Sequence, residues 1–430
     1  MAANRLAAVG RSKVRVTVVN PRPEFVERVR LHEHAAGESH AVRPLSGLLH
    51  RDVRLRTATV DVIEKRSVRL DDGDAVAFDY LLYAVGSTSA RGLAGSENVW
   101  SVADLDGADA LRTRLRQLPP GARVVVIGGG LTGIESAAEI AYRYPSLEVS
   151  LVSRTVAGRP RPGVPAGHAR TRAHPRGRGG PPPRGAPGAA RLPESSRASI
   201  EGRLANAGVV LRTGLRVTGV RPDGIETDAG PLPSDCTVWA GSFDVPDLAL
   251  RSGLPVTSDG RLRTDDALVC VHHRRIVGAG DAVAPPGHVG AHLRMSCQAA
   301  MPMGAHGADT VLALIRGERP APISIGMAGQ AISLGRRDGF IQATHRDDTP
   351  RASALSGRVA ALLKERVCRY TVTAMRFPRA YRWLPGPPST PTPTSIPTSA
   401  PKPTQPNPTP NADFDPTGTT RPHGSEGASS

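Results

Sequence analysis

One glycine-rich turn, set between an apolar strand and a helix, constrains the fold of this chain more than any other feature of its sequence. The turn runs from Gly128 through Gly130 to Gly133, directly after the apolar residues 123–127 and before a helical pattern at 134–141. A second apolar strand follows, which completes a strand–turn–helix–strand unit. In such a unit the glycines allow a tight turn, close approach of the backbone to a pyrophosphate, and close packing of helix on strand. The sequence therefore predicts an α/β fold that binds a dinucleotide at these three glycines.

The end of the second strand bears on the choice of nucleotide. An acidic residue there would accept a hydrogen bond from the ribose 2′-hydroxyl of NAD. This chain has Ser153 followed by Arg154 instead. A small polar residue with an arginine favours a 2′-phosphate, so NADPH is a candidate beside NADH. The alternative interpretation is that Arg154 only begins a solvated basic stretch.

The positive charge of the chain is concentrated in one segment. The chain carries 55 Lys and Arg against 39 Asp and Glu, a net charge of +16. Residues 156–200 contain nine arginines, one acidic residue (Glu194), many prolines and few large apolar side chains. Such a segment buries too little surface to offset its ordering entropy, and we predict that it is disordered. No aromatic residues alternate with its arginines, so no nucleic-acid partner is expected. The Pro/Thr/Ser-rich residues 385–430 are predicted to be a second disordered segment.

Further strands that end in small residues indicate a second nucleotide unit. The first residues of the chain predict the end of a helix that leads into a strand at 14–19, as in the second half of such a unit. Later strands end at Gly86, at Gly241 and at Gly280-Asp281. A carboxylate such as Asp281 at the carboxyl end of a strand is well placed to accept hydrogen bonds from a sugar-like polyol. Taken alone, the same residue could equally be a helix N-cap.

The two units, the small-residue turns and the late Gly-Asp pair together resemble the two-dinucleotide-fold flavoprotein oxidoreductases. The closest likeness is to the type II NADH dehydrogenase-like branch of the pyridine nucleotide–disulfide reductase superfamily, over roughly residues 1–155 and 200–375. The resemblance implies that FAD binds to the first unit, that NAD(P)H binds to the GxGxxG unit, and that a hydride passes from the nicotinamide to the flavin. It also implies that Asp281 contacts the ribitol, that Gly86 lies near the flavin, and that Gly241 is the matching turn of the second unit.

The same resemblance points to two residues near the site of hydride transfer. Glu135 occupies the family's G-x-E position, which lies near the junction of nicotinamide and flavin. Gln298 and Gly304 match the family's A-Q-x-A-x-Q-Q-G segment at the flavin edge. Pro302 and Met303 replace its paired glutamines, near which a quinone binds in relatives, and this departure leaves the acceptor open.

The resemblance divides the chain into five parts. They are the first part of an FAD-binding domain (1–108), an NAD(P)H-binding domain (109–245), the second part of the FAD-binding domain (246–325), a small C-terminal α+β region (326–384) and the tail (385–430). Relatives begin with a strand and a GxGxxG turn, whereas Met1 falls within the helix that follows such a turn. We therefore expect the first domain to be truncated, and the chain to be poorly soluble and to hold little flavin.

The predicted function is that of an FAD-dependent NAD(P)H oxidoreductase that passes electrons to a quinone-like or other small-molecule acceptor. Two alternatives stay open: an NAD(P)H–ferredoxin-type reductase that docks a redox protein, and a non-enzymatic nucleotide-binding redox sensor. Because the flavin supplies the chemistry, neither a metal site nor a catalytic triad is expected. Cys236, Cys270, Cys297 and Cys368 form no CxxC pair and are predicted to be buried free thiols.

Residues 355–372 predict a basic amphipathic helix whose apolar residues include Val359, Leu362, Leu363 and Val367. Such a helix suits a membrane surface, but we favour its packing on the protein's own sheet or on a second copy of the chain. No apolar run approaches the ~18 residues of a membrane-spanning helix. The expected location is the cytoplasm, with peripheral contact to the inner face of the membrane and a homodimer as open alternatives.

Overall fold

A computed structural model describes residues 1–37, 41–89, 93–157, 192–241 and 243–388. The elements up to residue 101 are α1 (Ala2–Gly10), β1 (Val16–Asn20), β2 (Glu24–Val26), α2 (Leu31–Ala36), β3 (Val42–Pro44), β4 (Val53–Thr57), β5 (Val60–Ile63), β6 (Ser67–Leu70), β7 (Ala75–Ala77), β8 (Leu81–Tyr83), β9 (Thr88–Ser89) and β10 (Trp100–Ser101). Those up to residue 239 are α3 (Leu105–Gln117), β11 (Arg123–Ile127), α4 (Leu131–Arg143), β12 (Glu148–Ser153), α5 (Glu194–Asn206), β13 (Val210–Thr213), β14 (Val217–Arg221), β15 (Gly224–Thr227), β16 (Gly230–Pro233) and β17 (Cys236–Trp239). The remainder are β18 (Phe243–Asp244), α6 (Leu248–Arg251), β19 (Leu262–Arg263), β20 (Val269–Cys270), β21 (His273–Gly278), β22 (Val283–Ala284), α7 (Gly287–Gly290), α8 (Cys297–Ile315), β23 (Gly329–Ser333), β24 (Gly339–Thr344), β25 (Pro350–Ser356) and α9 (Arg358–Arg376).

The strand before the glycine turn, β11, is the centre of a five-stranded parallel sheet with the order β10-β17-β11-β12-β13. Val126 of β11 pairs with Leu151 of β12 on one side and with Val238 of β17 on the other, and all three side chains are fully buried. Helix α4 packs against β11 and β12. A continuous apolar run suits a strand that has neighbours on both sides and layers on both faces. The predicted α/β unit is confirmed.

The strands of the other unit fall into two separate sheets. β1 pairs in parallel with β4, and β8 pairs in parallel with β21; within the described ranges no strand joins the two pairs. Helix α1 packs on β1, α8 packs on β21, and the two helices pack on each other, so one helical layer covers both pairs. With a partner strand on only one side, Val16, Val18 and Val19 of β1 remain partly exposed.

The two-stranded sheets β2-β3, β9-β18 and β19-β22 and three small antiparallel sheets complete the architecture; the three are β5-β6-β7, β14-β15-β16 and β23-β24-β25. The last of these packs on α4 through β23 and carries α9 on β23 and β24. Its residues Ile332, Leu334 and Phe340 are buried in the same apolar core as β11 and β12. This packing places the C-terminal helix beside the glycine-turn helix.

Element boundaries differ from the prediction where a turn competes with a strand. The predicted strand at 14–19 begins two residues later, at Val16, because residues 11–13 form a short 3₁₀ turn. Gly10 is the last residue of α1, and Arg11 with φ 50° takes the cap position. The prediction at 123–127 is confirmed by β11.

The predicted disordered segment 156–200 is wrong at its C-terminal end. Helix α5 begins at Glu194, and its Ile200 and Leu204 are fully buried beside Val156 and Leu192. Ser196, Ile200 and Leu204 recur every four residues, a helical spacing that the arginine-rich composition conceals. The prediction for 385–430 is wrong at its start, where the N–H of Gly386 donates to Ser324 Oγ at 2.9 Å. Residues 158–191 and 389–430 lie outside the described residues.

Candidate functional site

The glycine turn forms a cradle that only glycine fits at three of its positions, Gly128, Gly129 and Gly133. Gly128 has φ 127°, and its N–H donates to Val152 O at 3.0 Å. A Cβ added to Gly133 would lie 1.8 Å from Gly128 O, so the first turn of α4 rests directly on the loop backbone. A Cβ on Gly130 would meet nothing within 4 Å, so the space above it is open. The first-turn amides of α4 lie beside this open space, and a helix N-terminus favours the negative charge of a pyrophosphate.

The two residues predicted to read the ribose differ in exposure. Ser153 is buried, and its hydroxyl donates to Thr155 O at 2.9 Å. Arg154 is exposed at the carboxyl edge of the sheet. Gly241 follows β17 at the same edge, and a Cβ there would lie 2.5 Å from the Trp239 ring. A 2′-phosphate at this edge would therefore meet the guanidinium of Arg154 rather than the occupied hydroxyl of Ser153.

The structure brings the turns of Gly86 and Gly280 together. The N–H of Ala279 donates to Tyr83 O at 2.9 Å, and the hydroxyl of Ser87 donates to Asp281 Oδ2 at 2.7 Å. Both glycines have positive φ, 72° and 83°, as these tight turns require. Within the described residues, Oδ1 of Asp281 makes no hydrogen bond, so it is free to accept from a polyol.

An arginine that the sequence did not single out adjoins this pair of turns. Arg28 Nη1 donates to Ser87 O at 2.5 Å, and its guanidinium lies 5.9 Å from the centre of the Phe243 ring. Burial lowers the pKa of Arg28, while Asp281 and Asp104 oppose that shift. Arg28 thus adds positive charge beside Asp281.

Glu135 lies at the contact between α4 and the C-terminal region. Its Oε1 accepts from Ser333 N at 2.9 Å and forms an ion pair with Lys364 Nζ of α9. Burial lowers the pKa of Lys364 to about 8. At neutral pH the ammonium of Lys364 therefore holds a proton beside Glu135, but holds it less firmly than an exposed lysine does.

A buried ionic cluster fixes the surroundings of this pair. Arg30 binds Glu33 at 3.0 Å and Glu365 at 2.9 Å, which ties the start of α2 to α9. Arg336, between β23 and β24, binds Glu33 at 3.3 Å and Glu139 of α4 at 3.2 Å. Buried charges that are paired on several sides hold one geometry, because leaving any of them unpaired is costly.

His32 is buried within this cluster, 3.9 Å from Glu135. Burial, with Lys364, Arg336 and Arg30 adding to it, holds the pKa of His32 well below its usual range. The imidazole is therefore neutral at physiological pH, and it adds no charge to the cluster.

Gln298 lies in the first turn of α8, where a proline changes the helix. Its Oε1 accepts from Arg294 Nη2 at 3.3 Å, and Arg294 Nε contacts Asp348 at 2.6 Å. Pro302 has no N–H to offer the carbonyl oxygen of Gln298 four residues earlier. The carbonyl of Gln298, at the predicted flavin edge, therefore lacks the helical hydrogen bond from residue 302.

Helix α9 connects the two predicted catalytic residues. Lys364 contacts Glu135, and Cys368, one turn further on, lies near Cys297, the neighbour of Gln298. Burial raises the pKa of the Cys368 thiol and of the Cys297 thiol. These thiols are protonated and poor nucleophiles, which agrees with a packing role.

All four cysteines are free, as predicted, although Cys297 is only partly buried. His34 and His306 are buried as well, and His306 Nε2 donates to Ala321 O at 3.0 Å. Across the described part of the chain, no three His, Cys, Asp or Glu side chains gather into a metal-binding group.

Helix α9 packs on the protein's own sheet, as favoured, but its large apolar residues do not form that contact. Val359, Leu362, Leu363 and Val367 are 61%, 67%, 46% and 48% exposed. The face that packs on the protein instead carries small or polar residues: Ala360, Lys364 and Cys368. Because Lys364 and Arg30 meet partners inside, the helix is rotated with its apolar side outward. None of the described helices has the length and apolar character to cross a bilayer.

The glycine cradle before α4, and the free carboxylate oxygen of Asp281 between two tight turns, are features of a dinucleotide-dependent reductase. A profile of the pyridine nucleotide-disulphide oxidoreductase family matches residues 1–162. The chain is 33% identical over 330 residues to the NADH dehydrogenase-like protein MT1860 of Mycobacterium tuberculosis (strain CDC 1551 / Oshkosh), covering 72% of this chain and 76% of the relative. The chain belongs to the pyridine nucleotide-disulphide oxidoreductase family.

Solved structures share this fold. The sulfide:quinone oxidoreductase of Aquifex aeolicus superposes with a TM-score of 0.67 at 17% identity, covering 88% of this chain and 89% of that one. NDH2 of Plasmodium falciparum in complex with NADH superposes with a TM-score of 0.62 at 14% identity, covering 87% and 95%. The two Rossmann-like units predicted from the sequence are confirmed.

The chain is an NAD(P)H-dependent flavin oxidoreductase whose cofactors are FAD and NAD(P)H. The residues present fit both groups: the open space above Gly130 and the free amides of α4 suit the pyrophosphate of NAD(P)H, and the free oxygen of Asp281 suits the ribitol of FAD. Bound FAD would supply the two-electron acceptor for a hydride.

Sequence reasoning missed Lys364, Ser87, Arg28 and Arg294. Lys364, Ser87 and Arg28 reach their partners across long stretches of chain; Lys364 and Glu135 are 229 residues apart. One signal was available for Lys364: it shares a helical stripe with Ala360 and Cys368, and a lysine among small residues is a candidate for a buried, paired position.

Proposed function

We propose that this enzyme transfers electrons from NAD(P)H through FAD to a lipid-soluble, quinone-like acceptor, and that Lys364 and Glu135 deliver a proton to that acceptor. The observation that carries the proposal is the two-sided character of α9. Its outer face exposes Val359, Leu362 and Val367, while its inner face holds the buried Lys364–Glu135 pair. A single helix thus separates an apolar surface from a proton donor.

The chemistry of a quinone-like acceptor calls for such an arrangement. Two-electron reduction of a quinone takes up protons, and Lys364 Nζ holds one that burial has made easier to release. The N–H of Ser333 donates to the carboxylate of Glu135 and holds it beside the ammonium. The Gln298 amide, anchored through Arg294, offers a hydrogen bond near the same helix.

The test separates the two halves of the reaction. In anaerobic stopped-flow measurements of the FAD-loaded chain, NADH or NADPH bleaches the flavin absorbance, and a water-soluble quinone analogue restores it. Lys364→Met slows the second step about tenfold or more and leaves bleaching nearly unchanged, whereas Lys364→Arg retains most of the rate. Equal slowing of both steps would contradict the proton-delivery role.

The same experiment addresses the alternatives that the sequence left open. Faster reoxidation by a small iron–sulfur protein than by the quinone would favour the ferredoxin-type reductase. A flavin that binds but is never bleached by either nucleotide would favour the non-enzymatic redox sensor.

Peripheral contact of α9 with an anionic membrane accompanies this proposal. The exposed Arg366 and Arg369 flank the apolar residues, and this combination suits the interface of an acidic bilayer. Leu362→Glu with Leu363→Glu should abolish co-sedimentation with phosphatidylglycerol vesicles. The control is Leu250→Glu with Val210→Glu, which alters equally exposed residues away from α9. Loss of sedimentation in both variants would argue against a specific contact.

A further inference from the structure

A basic cavity lies at the end of the first unit that faces away from the nucleotide cradles. Its volume is about 630 Å³, which is within the range of small-molecule sites. It is lined by the first residues of β1 and the segment that leads into β4, whereas ligands of parallel α/β sheets bind beyond the carboxyl ends of the strands. The length of β1 separates these two ends by roughly 15 Å. The cavity is therefore distinct from the sites for FAD and NAD(P)H.

The charges that line the cavity are strongly unequal. The arginines are Arg11, Arg15, Arg51, Arg54 and Arg379, and the one carboxylate among the lining residues described is Asp52. Asp52 lies 3.5 Å from His50 Nδ1 and 3.9 Å from Arg51 Nε, so it is already engaged. Within the described ranges Arg11, Arg15 and Arg54 have no ion-pair partner. Convergent positive charge in a concave site raises the local concentration of anions.

Buried hydrogen bonds hold the walls of the cavity in place. Asn4 is 4% exposed, and its Nδ2 donates to Leu48 O at 2.7 Å and to Met375 O at 2.8 Å. Its Oδ1 accepts from His50 N at 2.8 Å. One side chain thus joins α1, the loop before β4 and the end of α9. The guanidinium of Arg379 closes the same corner by donating to Ala8 O.

The sheet register aims two of the arginines in one direction. Thr17 of β1 pairs with Arg54 of β4, so Arg54 projects from the same face as Arg15, two residues before Thr17. The apolar lining consists of Ala7, Ala8, Val14 and Val16, and it lies on the α1 side of the cavity, because Val14 and Val16 alternate with Arg15. The cavity therefore combines a guanidinium rim with an apolar floor.

We propose that this cavity binds a phosphorylated small molecule, with its phosphate on Arg15 and Arg54 and its less polar part against the apolar floor. Guanidinium forks match the oxygens of a phosphate in bidentate geometry, and a lysine would not do so. The phosphate belongs either to a free metabolite or to a lipid headgroup, and both present the same group to the arginines.

The experiment is calorimetric titration of the full chain with inorganic pyrophosphate, in the presence of saturating FAD and NAD⁺ so that the dinucleotide sites are filled. We expect Arg15→Glu with Arg54→Glu to weaken binding about tenfold or more. The control, Arg212→Glu with Arg319→Glu, makes the same change of charge at exposed sites away from the cavity and should leave binding within about twofold.

A second titration uses a short-chain phosphatidic acid below its micelle concentration. If phosphatidic acid binds more tightly than pyrophosphate, and Arg15→Glu with Arg54→Glu weakens its binding equally, the lipid headgroup is supported as the source of the phosphate. If pyrophosphate binds more tightly, the free metabolite is supported. If the charge-reversed variant fails to fold, Arg15→Gln with Arg54→Gln replaces it. Absence of binding at physiological ionic strength, or equal weakening in the control variant, would overturn the proposal.

Discussion

The two nucleotide units of this enzyme place similar strands in unlike surroundings. In the second unit, residues 93–157 and 192–241, β11 has a parallel neighbour on each side and its residues from Val124 to Ile127 are buried. In the first unit, residues 1–89 and 243–325, β1 pairs only with β4 among the described strands, and its valines stay partly exposed. A parallel strand buries its apolar residues only when it has neighbours on both sides as well as helices on its faces.

The contrast extends to the turns that bind the nucleotides. The second unit makes its pyrophosphate cradle from one continuous stretch, in which Gly133 rests on Gly128. The first unit assembles its described site from distant pieces, with Ser87 and Asp281 brought together by β8 and β21. The second site therefore depends on local backbone geometry, and the first depends on correct strand pairing.

The largest effect is expected for Gly133→Ala in the local cradle. The new Cβ would meet Gly128 O at 1.8 Å, and the backbone must move. We expect the free energy of unfolding to fall by about 1–3 kcal/mol. We also expect roughly a hundredfold weaker NADH binding, because the amides of α4 no longer point at the pyrophosphate. Gly130→Ala is the matched control, since it should weaken NADH binding without changing the melting temperature. Equal melting temperatures for the two variants would show that the cradle tolerates the overlap.

A matched pair of valines measures the difference between the two sheets. Val126→Ala in β11 removes a fully buried side chain and should cost about 2 kcal/mol of unfolding free energy. Val18→Ala in β1 removes a half-buried one and should cost about 1 kcal/mol or less. Urea denaturation of both variants gives the comparison. Equal losses would mean that β1 is as well supported as β11.

The pH dependence of stability tests how Lys364 joins the second unit to the C-terminal region. Burial lowers the pKa of Lys364 to about 8 in the folded protein, from its usual 10.5. The unfolded chain therefore binds this proton more tightly than the folded protein does. Below about pH 8 the buried ammonium of Lys364 lowers the free energy of unfolding, and this destabilisation disappears as the pH rises towards 10.5. In Lys364→Met the free energy of unfolding should increase less steeply with pH over this range, by up to about 1.4 kcal/mol per pH unit. Parallel stability curves for the two proteins would contradict a buried ammonium.

The smallest effect is expected at the exposed edge of the second unit. Arg154→Glu should reduce the ratio of kcat/KM for NADPH to that for NADH about fivefold, since exposed charge pairs contribute little. Arg212→Glu, on the neighbouring exposed strand β13, is the control and should leave the ratio unchanged. An unaltered ratio in Arg154→Glu would mean that Arg154 faces solvent in the complex.

Local patterns sufficed wherever one stretch of chain contains all the parts. The strand at 123–127, the glycine turn and helix α4 follow one another directly, so their spacing alone predicts their geometry. The resemblance carried by these residues and by the Gly-Asp pair also predicted the family. The buried end of the 156–200 segment escaped prediction, because the composition of its neighbours outweighed the spacing of Ile200 and Leu204.

The sequence by itself determined the two nucleotide units and the class of enzyme, because strand periodicity and glycine spacing are local properties of the backbone. Only the tertiary structure decided which face of α9 is buried, which basic side chain pairs with Glu135, and which arginines line the cavity at the start of β1. Those choices depend on the pairing of charges that are distant in sequence: burying Lys364 requires the carboxylate of Glu135 on another helix. No pattern within α9 contains that partner, so its amphipathic sequence predicted the helix and not its orientation.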